Sequence, residues 1–344
     1  MKRRTFLKDT TLLAGSMFIA PSVLFAQKRS CELMSVLGPV KPEDLVVTLM
    51  HEHVMVDFIG AAETGTHRYD PDKVFEKALP YLVELKKAGC STFIDCTPVY
   101  LGRDARILKR LSTASGLNIF TTTGYYGAVK EKFLPAHAYT ETAEQLAARW
   151  IDEFKNGIEG SGIYPGLIKT SVDEAPLSTV QRKVLTAVAM AHLQTGLSIS
   201  AHTGNGEAAM EELSILQKSG VHASAFRWVH AQNEKDKTIH LRAAKMGAWI
   251  EFDGINGSEP ESLTHHLDCL KHMKQNGFLN KTLISHDTGW YWVGEPGGGT
   301  FRGYTAIFEK FIPMLKNEGF TDEDINQLLV QNPRESLTIR VRKA

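Results

Sequence analysis

Six residues of this 344-residue chain belong to types that bind metals, and each closes a short apolar run. They are His51 and His53 in LMHEH, Lys169 in GLIKTS, His202 in SISAH, His230 in RWVH and Asp287 in LISHD. Imidazole nitrogens and carboxylate oxygens are ordinary ligands of divalent cations, zinc among them. An isolated H-x-H says little, because single histidines are more often hydrogen-bonded core or surface residues. The ordered set carries the signal, with five separated runs each delivering a ligand type. On a strand, residues i and i+2 project to one face, so His51 and His53 point together and Glu52 points away.

No two of these runs adjoin, so the fold must gather their ends. Eight strand candidates recur along the chain: 46–50, 92–96, 118–123, 167–170, 197–202, 226–230, 248–253 and 282–287. The segments between them have helical periodicity. In 72–88, Val74, Ala78, Tyr81, Leu82 and Leu85 recur at helix spacing and Gly89 follows the end. In 178–195, Ser178 can cap, Val184, Leu185, Val188 and Ala189 form an apolar face, and Gly196 follows. The stretch 206–219 ends at Gly220 in the same manner. The longest gap, 124–165, contains one helix over 142–155 and otherwise loops across one end of the fold. Residues 304–340 read as closing helices. Strand–helix alternation of this kind predicts a single α/β domain, a (β/α)8 TIM barrel, with its active site at the C-terminal ends of the strands. All six residues fall there.

Composition agrees with one large barrel domain. Apolar residues make up 43% of the chain, and Lys+Arg and Asp+Glu each count 39. A balanced charge supplies no field for nucleic acid or for an anionic membrane, so the expected partner is a small-molecule substrate. None of the four cysteines, Cys31, Cys90, Cys96 and Cys269, forms a C-x-x-C pair, which argues against a cysteine zinc site. Cys90 and Cys96 flank a strand and read as buried small hydrophobes. Residues 1–26 combine KRRTFLK, an apolar stretch broken by Pro21, and small residues before Gln27. This is the pattern of a twin-arginine export signal, cleaved near Ala26, and it predicts a periplasmic mature protein spanning 27–344 with no membrane anchor.

With these motifs in place the chain resembles the phosphotriesterase family, including phosphotriesterase-related proteins, of the amidohydrolase superfamily. The resemblance runs from VLGPVKPEDLVVTLMHEH through GLIKTS, SAHTG, WVHAQ and LISHD to FIPMLKNEGFTDEDINQLLVQNPRESL. It implies a dinuclear metal centre. His51, His53 and Asp287 would hold the more buried ion, and His202 and His230 the more exposed one. Lys169 would bridge both as N6-carboxylysine. An ammonium group between two dications is repelled, whereas a neutral amine can add CO2 and become an anionic carbamate. Two oxygens can then span ions roughly 3.5–4 Å apart. This ligand set suits zinc, with manganese, cobalt or iron as substitutes. The resemblance also implies a homodimer.

The chemistry implied is hydrolysis. A metal-bridging hydroxide would attack the carbonyl or phosphoryl of a carboxylic ester, lactone, amide or phosphotriester, with Asp287 accepting the proton. Two other readings compete. One is a mononuclear deaminase-like amidohydrolase, which has no use for a bridging lysine. The other is a non-catalytic periplasmic metal- or ligand-binding protein on a retired barrel, against which the intact set of all six residues argues.

The substrate shell departs from the family pattern. An aspartate–histidine relay in family phosphotriesterases is matched here by Asn233 and Gly254, and the arginine of family lactonases also falls at Gly254. Asp253 itself is kept, and Tyr126 in GYYG matches a lactonase tyrosine, so both are candidate substrate contacts. The stretch after strand eight, TGWYWVGEPGGGTFR, reads as a loop in which Trp290, with Tyr291 and Trp292, lines an apolar pocket and Arg302 meets a substrate carboxylate. His286 points away from Asp287 and takes no part in catalysis. His265, His266 and His272 lie on a helix as structural or surface residues.

Overall fold

The computed structural model describes residues 33–257 and 260–344. The export signal expected over 1–26, and Cys31, lie outside the described residues. A short hairpin opens the chain, β1 (Leu33–Ser35) against β2 (Gly38–Val40). Then come β3 (Thr48–Val56), β4 (Thr92–Asp95), β5 (Asn118–Phe120) and β6 (Thr122–Thr123). They are followed by β7 (Leu167–Val172), β8 (Ile199–Thr203), β9 (Phe226–Val229), β10 (Trp249–Phe252) and β11 (Thr282–Ile284). A last short strand is β12 (Gly289–Trp292).

The hydrogen-bonded order is β12-β3-β4-β5 and β6-β7-β8-β9-β10-β11, with every pairing in these two runs parallel. β5 and β6 are one strand interrupted at Thr121. On the other side the seam closes between β3 and the segment after β11, where Asp287 N donates to His51 O at 3.0 Å and His51 N to Ser285 Oγ at 2.8 Å. The eight strands therefore form the predicted (β/α)8 barrel.

The predicted helices stand between the strands with caps that follow from local sequence. Asp70 caps Pro71–Lys87, and Thr142 with Gln145 and Ser178 with Gln181 form capping boxes on Ala143–Asn156 and Thr179–Thr195. Each such cap is worth about 1 kcal/mol. The barrel floor is apolar, with Met50, Ile94, Phe120, Leu167, Trp249 and Leu283 meeting inside it. Cys90, Cys96 and Cys269 are buried and free. No helix among the described residues is long and apolar enough to cross a membrane.

Two features differ from the sequence expectation. The first strand continues past the histidines to Val56. Its register against β4 shifts between Leu49 and Glu52, a bulge that puts Met50 in the floor and still turns His51 into the site. Strict alternation would have forced a choice between them. The second difference is that TGWYW forms β12 rather than open loop, pairing Gly289 with His53 and Trp292 with Val56. Gly289 makes this possible. Its φ is +96°, and a Cβ there would fall 1.9 Å from His53 O and 2.3 Å from Tyr304 Oη, so only glycine fits.

Candidate metal centre

All six ligand-type residues line one cavity of about 140 Å³ at the C-terminal mouth, with Val56, Phe58, Leu101, Tyr126 and Trp290 completing its wall. His51 and His53 lie within β3, Lys169 within β7 and His202 within β8. His230 and Asp287 stand just beyond β9 and β11 with left-handed backbones, φ +64° and +53°. Such conformations cost about 1 kcal/mol or more outside glycine and persist where the surroundings enforce them. At His230 the enforcement is visible, because its N–H and its Nδ1 both donate to Asp253, at 3.1 and 2.5 Å.

The partners of the imidazoles decide which nitrogen is free. His51 Nδ1 donates to Asp253 Oδ2 at 3.0 Å. His53 Nδ1 lies 2.8 Å from Thr97 Oγ1, whose own proton goes to Met55 O at 3.1 Å, so the ring is the donor. Three histidines thus carry their proton on Nδ1 and leave an Nε2 lone pair on the cavity side. His51 Nε2 and His53 Nε2 are 3.2 Å apart, with Asp287 Oδ1 3.2 Å from the latter and Lys169 Nζ 3.3 Å from the former. The rings of His202 and His230 follow at 4.4 Å. His51, His53 and Asp287 form a group that can hold an ion by its geometry, whereas in the neighbouring group of His51, His230 and Asp253 the two imidazoles spend their Nδ1–H on the carboxylate. The converging lone pairs and carboxylate fit a divalent cation.

The electrostatics agree for His51 and His202, while at His230 burial is outweighed by the Asp253 carboxylate and the pKa is raised. Burial, and then Lys169, lowers the His51 pKa to about 3, and burial with His230 holds His202 well below the ordinary histidine value. Both rings are therefore neutral at neutral pH. Burial alone would raise Asp287 and Asp253, but neighbouring histidines outweigh it and hold both carboxyls low and ionised.

Asp253 and Arg302 occupy places other than those expected of them. Asp253 is fully buried behind the histidines and outside the cavity lining. Its carboxylate is used up by His51, His230 and Gln232, so it is a positioning residue and not a substrate contact. Arg302 is also absent from the lining; its guanidinium stacks 4.3 Å from the Trp290 ring. Tyr126 and Trp290 do line the cavity, the tyrosine ring 5.2 Å from that of His202. Tyr291 is buried and Trp292 is 41% exposed, edge-on to Phe58. His286 is held between Glu52 Oε1 and the Ile307 N–H, away from the cavity as predicted. His265 and His266 bond the backbone oxygens of Gln232 and Asp253.

Gly254 has φ +87°, and a Cβ there would lie 3.4 Å from Gln232 Nε2 and 3.7 Å from His266 Nε2. The position is strained for any longer side chain in this backbone. Asn233 is exposed at the end of a single turn, Ala231–Asn233. Sequence reasoning missed Thr97, which orients His53, Gln232, which bonds the Asp253 carboxylate, and Phe58, which walls the cavity. Thr97 had one readable signal, its place just past strand 92–96. Gln232 had only its nearness to His230.

A model of the phosphotriesterase family matches residues 31–337. A phosphotriesterase homology protein of Mycobacterium tuberculosis is 31% identical, over 88% of this chain and 96% of its own. An N-acetyltaurine hydrolase of Dictyostelium discoideum is 31% identical, over 77% of this chain and 73% of its own. Among solved structures, a double mutant of organophosphorus hydrolase from Deinococcus radiodurans superposes with a TM-score of 0.79 at 24% identity, covering 89% of this chain and 97% of that one. The matched span takes in the barrel and every residue of the cavity wall, and the chain is a metal-dependent hydrolase belonging to the phosphotriesterase family.

Proposed function

We propose that the protein uses two divalent cations, most simply zinc, to hydrolyse a small carboxylic ester, lactone, amide or phosphotriester. The observation that carries this reading is the meeting of His51 Nε2 and His53 Nε2 at 3.2 Å, both without a proton, beside Asp287 and Lys169. His51, His53 and Asp287 would hold one ion and His202 and His230 the other. Lys169 would serve both as a carbamate, formed when its neutral amine adds CO2 and releases one proton. Lys169 is buried, 1% exposed, with its Nζ 3.3 Å from His51 Nε2, where a carbamate would meet the proposed ions. When bound, such ions supply an acidified water and a Lewis acid for the scissile C=O or P=O.

The chain's own residues do the rest. Asp287 receives the proton of the attacking water at its carboxylate and returns it to the leaving group. Asp253 holds His51 and His230 in one tautomer and one orientation. Tyr126, whose phenol burial keeps neutral, stands beside His202 as a donor facing the substrate. Phe58, Leu101 and Trp290 exclude water from the acyl side. The twin-arginine pattern supports export to the periplasm of an already folded, already loaded enzyme.

The test is a metal assay with a hydrolysis screen. The purified protein should hold two divalent ions per chain and turn over at least one class among aryl esters, lactones, N-acyl amides and phosphotriesters. Lys169→Ala should lose most activity and at least one ion. A fully loaded protein inert towards every class would overturn the reading.

A further inference from the structure

Glu52 stands between the two histidines of β3, fully buried and outside the cavity lining. Its side chain turns toward the segment that carries Asp287, and the donors it meets all belong to residues 285–288. Oε1 accepts from Ser285 Oγ at 2.8 Å, from the His286 N–H at 2.9 Å and from His286 Nδ1 at 2.8 Å. Oε2 accepts from the Thr288 N–H at 3.1 Å. The Thr288 hydroxyl lies farther off, at 3.4 Å, and gives its proton to Gly303 O at 3.0 Å. His286 Nε2 accepts from the Ile307 N–H, so Nδ1 is the protonated nitrogen that faces Glu52.

These bonds account for the left-handed backbone of Asp287, φ +53°. The His286 and Thr288 N–H groups flank that residue and converge on one carboxylate. Main-chain N–H groups around a left-handed residue form a concavity that binds an anion, and here the anion is Glu52. A left-handed aspartate is unfavourable alone and lasts where its surroundings over-determine it. β3 grips the same segment through its main chain as well. His51 N donates to Ser285 Oγ at 2.8 Å, Asp287 N to His51 O at 3.0 Å, and His53 N to Thr288 O at 3.0 Å. The result sets Asp287 Oδ1 3.2 Å from His53 Nε2.

We infer that Glu52 is the positioning residue of Asp287: its carboxylate moulds residues 285–288 so that the Asp287 carboxylate meets His53 at the ion site. The middle residue of H-E-H thus acts on the centre without entering the cavity. All four of its close partners donate, so the position calls for a group that only accepts, which a carboxylate is and a carboxamide is not. This inference rests on the hydrolase reading above, which makes Asp287 both an ion ligand and the acceptor of the water proton.

Glu52→Gln tests this, because its NH2 faces donors and leaves them unpaired. Zinc and cobalt affinities should be measured by chelator competition, with the visible spectrum of the cobalt-loaded protein and the kcat and KM for the substrate class that the parent turns over best. Affinity for one of the two ions should fall by about 10- to 100-fold, and the cobalt bands should shift. kcat should fall by about tenfold or more with KM nearly unchanged, because Tyr126, Leu101 and Trp290 still line the cavity. Glu52→Asp, which keeps the charge on a shorter stem, should recover part of the affinity and of the parent spectrum. Lys274→Met, which removes an ion pair with Asp324 on the outer helix Pro260–Gln275, should alter none of these readouts. Should Glu52→Gln fail to fold, Ser285→Ala decides, with a several-fold loss of affinity and a shifted cobalt spectrum expected and parent values overturning the inference. Parent affinities, spectrum and kcat in a folded Glu52→Gln overturn the inference and leave the hydrolase reading standing. A parent that binds no ion and hydrolyses nothing overturns both.

Discussion

Asp253 grips His230 through two bonds, Oδ2 to the backbone N–H at 3.1 Å and Oδ1 to Nδ1 at 2.5 Å, while Oδ2 also takes His51 Nδ1 at 3.0 Å. One buried carboxylate therefore sets the orientation of a ligand from each of the two proposed ion sites. Asp253→Asn replaces one acceptor with an NH2 that cannot accept from either ring. Metal affinity should fall by about 10- to 100-fold, as for other partners of metal-bound histidines. Competition with a chelator would measure it, and circular dichroism should show the barrel retained. Unchanged affinity would show that the histidines are held by the β-strands alone.

The loop beside Tyr126 stores backbone strain at a place where it can be relieved. Val129, Lys130 and Glu131 are consecutive non-glycine residues with φ of +59°, +54° and +64°. Asp173 compensates by accepting from the Val129 and Lys130 N–H groups at 2.8 and 3.2 Å. Lys130 is exposed and its side chain makes no ion pair among the described residues. Lys130→Gly removes about 1–2 kcal/mol of left-handed strain and adds about 0.5–1 kcal/mol of chain entropy to the unfolded state. The variant should be more stable by up to about 1 kcal/mol in urea unfolding. A loss of stability would mean that the lysine stem packs more firmly on the loop than its exposure indicates.

What could be read from the sequence follows a physical division. The barrel was legible because its strands are apolar runs separated by capped, periodic helices, and both patterns are local. The six ligand-type residues were legible because each terminates such a run. Asp253 lay in the right strand, yet its role was hidden, because whether an aspartate faces substrate or histidine depends on packing between β9 and β10. β12 was hidden for a similar reason. TGWYW reads as a loop until Gly289 is seen to lie against the carbonyl of His53, a contact between residues 236 apart in the numbering. Trp290 was identified and Arg302 misplaced, since a loop's composition tells which residues it offers but not which one faces inward.

Arg227 and Glu251 place opposite charges inside the barrel, both fully buried, with no hydrogen-bond partner for their charged side-chain atoms among the described residues. Burial pushes Glu251 up to about 7 and lowers Arg227, and in each case the other residue is the foremost charge opposing it. Removing one member leaves the other uncompensated in a medium of low polarity. Glu251→Leu should cost on the order of 3 kcal/mol, whereas Arg227→Met with Glu251→Leu should cost much less than the sum of the single changes. A double-mutant cycle by denaturant unfolding measures the coupling. Additive losses would mean that the two groups are satisfied separately.

Glu212 gives the protein a pH dependence opposite to that of a salt-bridged acid. It is fully buried, and burial raises its pKa to about 8, against the help of Thr203 Oγ1 at 2.7 Å. Thr203 Oγ1 also lies 3.1 Å from Ala201 O. A protonated Glu212 can donate to the threonine, which donates in turn to the strand that carries His202. Below the unfolded pKa of about 4.5 both states hold the proton and pH has no effect. Between there and pH 8 only the unfolded state ionises, so stability falls as pH rises, and above pH 8 the loss levels off. Glu212→Gln keeps an N–H donor for Thr203 and cannot ionise. Relative to the parent, the variant should therefore gain stability progressively from pH 5 to pH 8.5, by a few kcal/mol at most. Both proteins should be unfolded at the same metal concentration, so that linkage to the metal ligands is shared and cancels in the difference. A difference that stays flat across that range would show that Glu212 ionises in the folded protein and finds its compensating partner there.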